Sequence, residues 1–206
     1  MKVLALETST ARGSIAVVDD DYVLVTVDFA NDRRNSGPFF QLLADAREQW
    51  RNVELIVVGL GPGSYAGVRI AISAATGLQL ATDARLIGLP SICATETTAD
   101  SYHVIGDARR GSLWMATVAA GKCSESPTLV SSDELRDKLS GSSLPVYTAE
   151  SLRGYPNAAP AFPSAVRLAR IAQRPHCDEM LPPLQPLYLR EPHITASHQP
   201  TWNLTR

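Results

Sequence analysis

The residues most able to do chemistry stand in one stretch, GLGPGSYAGVRI, from Gly59 to Ile70. Gly61, Pro62, Gly63 and Ser64 follow an apolar run and lead into a long segment whose one charge is Arg69. A glycine turn that opens a helix can hold phosphate, because its N–H groups converge and the helix dipole favours negative charge. The P-loop form of that chemistry needs a lysine directly after a glycine. Here the first cation is Arg69, so that reading fails. The dinucleotide form needs G-x-G-x-x-G or alanine at the third place. Gly61, Gly63 and Ala66 satisfy it. The acidic residue that should hold the ribose is absent beyond the next strand, LIGLPS, and Asp83 precedes that strand. A structural reading needs less. Gly61 and Gly63 permit backbone angles closed to other residues, Pro62 stiffens the turn, Ser64 caps the helix, and Gly67 lets another backbone come close. Weak anion affinity through Gly61, Gly63, Ser64, Gly67 and Arg69 stays open.

The elements around the turn follow from periodicity. Val3 to Leu6 reads as a strand, and 14–18 with 22–28 as an antiparallel hairpin. Phe39, Leu42, Leu43, Ala46 and Trp50 recur at helical spacing, with Ser36 before them as a possible cap. ELIVVGL (54–60) is apolar at almost every step, as a parallel strand covered on both faces is. A helix over 66–81 and a strand over 85–89 complete a β-β-β-α-β-α-β lobe over residues 1–100. A second, smaller lobe over 101–190 begins with two strands around Arg109-Arg110-Gly111. A helix from Ser132 to Leu139, a strand at 145–148, a helix at 164–173 and a closing strand at 184–190 follow. Residues 191–206 show no period and are expected to be mobile.

The helix over 66–81 is apolar all round: Val68, Ile70, Ala71, Ile72, Ala74, Ala75, Leu78, Leu80 and Ala81. One stripe suffices for a helix on a sheet. Either the helix is enclosed in a larger lobe, or Gly67, Ala71, Ala74, Ala75 and Leu78 form a second face on which another helix packs closely.

Composition narrows the classes. A chain of 206 residues with net charge −2 can bury a sizeable core and lacks the basic footprint of a dedicated nucleic-acid binder. Arg33-Arg34 and Arg109-Arg110 are local pairs on what reads as solvated surface. Cys93, Cys123 and Cys177 form no CxxC or metal pattern and fit a reduced cytoplasmic interior. The first apolar run ends at Glu7, too short for a secretory signal. Gly67, Ser73, Thr76, Gly77 and Gln79 argue against a membrane span in the 65–82 segment.

ALETST (5–10), GLGPGSYAGVRI, DARRGSLW (107–114) and PLYLR (186–190) together resemble the TsaB family, also called YeaZ, over about 190 residues in matching order. The resemblance implies an α/β fold of the two-lobed acetate kinase–Hsp70–actin (ribonuclease H-like) type, each lobe a mixed sheet with helices. It implies a non-catalytic scaffold in threonylcarbamoyladenosine modification of tRNA. The scaffold would pair with a TsaD-type catalytic subunit, be joined by a TsaE-type ATPase, and meet tRNA only through the complex. A homodimer through related surfaces is also implied. No membrane contact, no catalytic residue and no metal are expected. ATP and metal are expected on the partner subunits, with at most weak nucleotide binding here. Phe39, Leu43, Ala46, Ala71, Ala74, Ala75 and Leu78 would meet the partner, so Ala75→Arg should block pairing. Glu7 and Thr8 would be the remnant of a phosphate site, with Glu7 where the family usually has aspartate. Asn35-Ser36-Gly37 replaces a histidine-containing motif. Arg109 and Arg110 would contact tRNA or a partner.

The catalytic relative binds metal through two histidines four apart on one helix. Here His103, His176, His193 and His198 offer no such pair. The rival reading is a nucleotide-dependent kinase or carbamoyl-type transferase using Glu7, Thr8 and the glycine turn. A metal-dependent glycoprotease finds neither a ligand cluster nor a nucleophile–base pair in the sequence.

Overall fold

The computed structural model describes residues 1–31, 36–175 and 177–189. Arg33, Arg34, Asn35, His176, Arg190 and the 191–206 tail, with His193 and His198, lie outside the described residues.

Unbroken apolar runs make the centre of the first sheet. β1 (Lys2–Glu7), β4 (Leu55–Gly59) and β5 (Arg85–Leu89) run parallel, and β2 (Arg12–Asp19) and β3 (Tyr22–Ala30) complete the order β3-β2-β1-β4-β5. Ala5 stands opposite Ala16 on one side and Val57 on the other. Alternate residues of these strands serve two cores, as the period of two requires. Leu4, Leu6, Ile56 and Val58 face α1 (Gly37–Asp45) and α3 (Tyr65–Thr82). Val3, Ala5, Leu55 and Val57 pack instead with Leu168 and Ala169 of α5.

That last helix crosses between the halves. α5 (Ala165–Ala172) follows the second sheet in sequence, yet it packs on β1, β2 and β4. Ala165 N–H donates to Ser14 Oγ at 2.8 Å. One core therefore joins Val3 and Val57 to Tyr102 and Val118.

The second sheet has the order β10-β9-β6-β7-β8, from β6 (Ser101–Asp107), β7 (Leu113–Ala119), β8 (Lys122–Val130), β9 (Val146–Thr148) and β10 (Ala159–Pro160). The capping box of α4 (Ser132–Ser140) pairs Ser131 with Glu134.

Three expectations need correction. β8 escaped the periodicity reading because it is a largely exposed edge strand, polar at most positions and containing Pro127, which an edge tolerates. The helix expected through Trp50 breaks at Ala46 (φ −81°, ψ 7°) into α1 and α2 (Arg47–Trp50), and the Ser36 side chain makes no cap. The closing strand expected at 184–190 is irregular over 184–189. Pro186 has no N–H to give, and Leu187 N–H donates to Leu60 O.

A polar chain, buried at His103 and Thr117, crosses the second sheet. His103 Nδ1 lies 3.0 Å from Thr117 Oγ1, which donates to Glu125 Oε2 at 2.8 Å, and His103 Nε2 lies 2.7 Å from Ser142 Oγ. Thr117 has given its only proton to Glu125, so it accepts from Nδ1–H, and Nε2 accepts from Ser142. A serine–histidine pair thus exists that sequence spacing hid, but none of the four residues lines the cleft described below. Burial lowers the His103 pKa below its ordinary 6.5, with Glu125 opposing. As pH falls, the unfolded chain takes up this proton first, so the folded state loses stability from that value downward. The stability advantage of wild type over His103→Gln should therefore shrink between about pH 7.5 and about pH 5.5 in urea denaturation.

Candidate functional site

The glycine turn is pressed against the end of β1. A Cβ on Gly63 would overlap the carbonyl oxygen of Ser9, and a Cβ on Gly67 that of Thr8. At the close of β4, a Cβ on Gly59 would overlap Glu7 Oε2. Three of the turn's donors are committed nearby. Ser64 N–H donates to Ser9 O at 2.6 Å, Gly61 N–H to Ser91 Oγ at 2.9 Å, and Gly67 N–H to Ser64 Oγ at 3.3 Å. Gly61 holds φ +92°. The Ser64 cap is as the sequence predicts, and three of the N–H groups of the anion reading already have acceptors, which weighs against it. Arg69 is drawn elsewhere, its guanidinium 4.3 Å from the Tyr65 ring centre and its Nε donating to Tyr188 OH at 3.1 Å.

Glu7 is fully buried. Its Oε1 accepts from Ser9 N–H at 2.7 Å, while Oε2 has no hydrogen-bond partner, and neither do Thr8 Oγ1 and Ser9 Oγ. Burial raises the Glu7 pKa, opposed by Ser9 and Ser91 beside it. A carboxylate walled in beneath the turn, with no lysine in the stretch, does not suit a nucleotide's phosphates. Neither Glu7 nor Thr8 lines the large cleft.

That cleft, of about 560 Å³, opens between the two sheets. Ser9, Thr10 and Ser64 line one wall, Ile105, Asp107 and Arg109 another, and Leu187 and Tyr188 close it. The volume is in the range of small-molecule sites. Its walls come from distant segments, which is why sequence gave no sign of it. Arg109 and Arg110 both hold left-handed backbone, φ 65° and 55°. Arg109 pairs with Asp107, Nη1 to Oδ2 at 3.1 Å, and Asp107 N–H donates to Glu150 Oε1 at 2.7 Å. The expected steering charge at Arg109 is thus matched locally, whereas Arg110 is exposed.

The expected partner face requires the largest correction. Phe39, Leu43, Ala46, Ala71 and Ala75 are all buried in the chain's own core, Ala71 and Ala75 completely. They form the inward stripe of α1, its junction and α3, so Ala75→Arg would unfold the protein before it tested any interface. Ala74 and Leu78 are half-buried. With Ile70, Gly77 and Ala81 they make a smooth flank beside the inward stripe, where Ile70 is half-buried and Gly77 and Ala81 are exposed. At its N-terminal end a small groove is bordered by Ser36, Phe39, Ala66, Gly67 and Ile70.

Two mixed sheets with helices, a parallel centre with an antiparallel extension, and a cleft between them define a two-lobed α/β fold. A family model described as TsaD, tRNA N6-adenosine threonylcarbamoyltransferase, matches residues 38–125. An uncharacterised protein of Mycobacterium leprae is 31% identical over 213 residues, covering 96% of this chain and 58% of that relative. One of Mycobacterium bovis is 31% identical over 201 residues, covering 92% of each. The tRNA threonylcarbamoyladenosine biosynthesis protein TsaB of Bacillus subtilis is 33% identical over 125 residues, 55% of this chain and 53% of that protein. A solved Pseudomonas aeruginosa protein similar to YeaZ shares the fold, with TM-score 0.75, 21% identity, and coverage of 92% of this chain and 99% of that one. Over about half of its length the chain is thus similar to TsaB, and over nearly all of its length it shares the fold of a YeaZ-like protein.

Proposed function

We propose that this protein serves threonylcarbamoyladenosine biosynthesis on tRNA as a non-catalytic subunit that pairs with a TsaD-type catalytic subunit and activates it. The observation that carries this reading is the flank Ile70, Ala74, Gly77, Leu78 and Ala81, apolar and left partly open beside a core that is already complete. Small residues there let a partner helix approach closely. Apolar area removed from water contributes roughly 25 cal/mol per Å² before ordering costs. Favouring the paired, active arrangement of the catalytic subunit is then a population shift. A TsaE-type ATPase would join the pair, tRNA would be met through the complex, and in its absence two copies of this chain would share the flank. The cytoplasm is the compartment this role requires, and no described helix is long and apolar enough to cross a membrane.

Gly77→Arg tests the interface. Nothing lies within 4 Å of a Cβ at Gly77, so the monomer has room for the side chain. Its unfolding midpoint should hold or rise, while co-purification with the host's TsaD-type subunit should fall at least about a hundredfold, because an unpaired buried charge costs roughly 3–5 kcal/mol. Undiminished pairing would move the interface off α3. Depletion of the protein in its host should lower threonylcarbamoyladenosine in hydrolysed tRNA, read by mass analysis.

The cleft favours a second reading, a nucleotide-dependent kinase or carbamoyl-type transferase. Micromolar binding of ATP with magnesium to the isolated chain, by calorimetry, would support it. The committed turn donors and the enclosed Glu7 weigh against it.

A further inference from the structure

The geometry points to a site for a soft divalent cation of the zinc class, formed by Cys93, Cys123 and Asp178. Sequence spacing conceals it, because the three residues come from three distant segments. Cys93 lies on the 3-10 turn Ser91–Ala94, Cys123 is the second residue of β8, and Asp178 lies just before Met180, which pairs with Gly88 of β5. One donor atom from each falls within 4.8 Å of the other two.

The two sulfurs are 3.5 Å apart. Thiolates sharing one tetrahedral zinc, with bonds of about 2.3 Å, stand about 3.8 Å apart, so coordination needs only a small adjustment. A disulfide would require closure to about 2.0 Å and would give the carboxylate no part. The carboxylate is already aimed, since Asp178 Oδ2 accepts from Cys123 N–H at 2.9 Å. The turn bearing Cys93 is held from behind by Tyr102 OH, which lies 2.9 Å from Ile92 O and 3.1 Å from Cys93 O. Two thiolates and a carboxylate suit a borderline-soft divalent ion better than magnesium or calcium. Both thiols would release their protons to solvent on binding, and water would complete four-coordination.

Such an ion would clip together the first sheet's 3-10 turn, the edge of the second sheet and the returning segment. Ser91, on the same turn, accepts from Gly61 N–H at 2.9 Å, so occupancy would also brace the glycine turn. This inference is independent of the tRNA-modification reading.

The test uses the full chain, kept reduced by a phosphine, stripped with a chelator, and titrated with zinc or cobalt(II). One equivalent should bind with a Kd near or below about 1 μM, and the unfolding midpoint should rise. Cobalt(II) should give a thiolate charge-transfer band with tetrahedral d–d absorption. Because Cys93 is buried, the working variants are Cys123→Ser and Asp178→Asn, each checked for native circular dichroism. Each should weaken binding by about tenfold or more, while Cys177→Ser should bind as wild type does. The inference is overturned if stoichiometric zinc leaves the midpoint unmoved and cobalt shows no charge-transfer band. It is equally overturned if both folded variants bind with wild-type affinity, or if the reduced pair forms a disulfide in air yet takes up no metal.

Discussion

Alanine at Gly67 should destabilise this protein by about 1–3 kcal/mol or more, whereas alanine at Gly77 in the same helix should stabilise it by about 0.5–1 kcal/mol. Helix propensity alone predicts a gain at both. The difference lies in what the new methyl group meets. At Gly77 it meets open space, and the only change is a smaller loss of backbone freedom on folding. At Gly67 it would overlap the carbonyl oxygen of Thr8, with Ser64 Oγ 3.3 Å away. A backbone carbonyl at the end of a buried strand cannot swing aside as a flexible side chain can. Either α3 lifts off β1, opening the core around Val68 and Ala71, or β1 frays where Ser9 O holds Ser64 N–H. Urea denaturation of the two variants beside wild type measures both signs at once. Stabilisation at both positions would mean that the turn is not held against Thr8, and its N–H groups would again be available to an anion.

What could be read from sequence was whatever repeated along a continuous run. β1, β4, α3 and β5 each carry an unbroken apolar pattern, so their existence and order were legible, as was the Ser64 cap. The orientation of α3 was not. Successive residues on a helix turn by about 100°, and α3 is apolar on nearly every side, so composition could not decide whether Ala71 and Ala75 or Ala74 and Gly77 faced outward. The core decided it, by seating Ala71 and Ala75 against the sheet. β8 was hidden for the opposite reason: an exposed edge needs no apolar period. The cleft, the destination of α5, and the meeting of Cys93 with Cys123 are products of tertiary folding and leave no local trace. Glu7 was legible as a carboxyl in a turn-prone run, but its complete burial was not.

Glutamine in place of Glu7 should raise stability at neutral pH by roughly 1–3 kcal/mol, the range for a buried polar group left without a partner. The glutamine amide keeps an acceptor for Ser9 N–H and carries no charge to desolvate. The sign with pH follows from the raised pKa. The unfolded chain ionises near the ordinary 4.5, before the folded protein does. Stability from the protonated carboxyl is therefore fully present below that value and is lost as pH rises through the higher folded pKa. The advantage of Glu7→Gln should accordingly be small near about pH 4 and reach its plateau only above the folded pKa, in denaturation curves at paired pH values. The pairing proposed for the α3 flank should be unchanged, because Glu7 is enclosed. Loss of stability at neutral pH would instead mean that the ionised carboxylate has a bound counter-charge. Glu7 would then be a ligand in waiting, and the nucleotide-dependent reading of this fold would regain its footing.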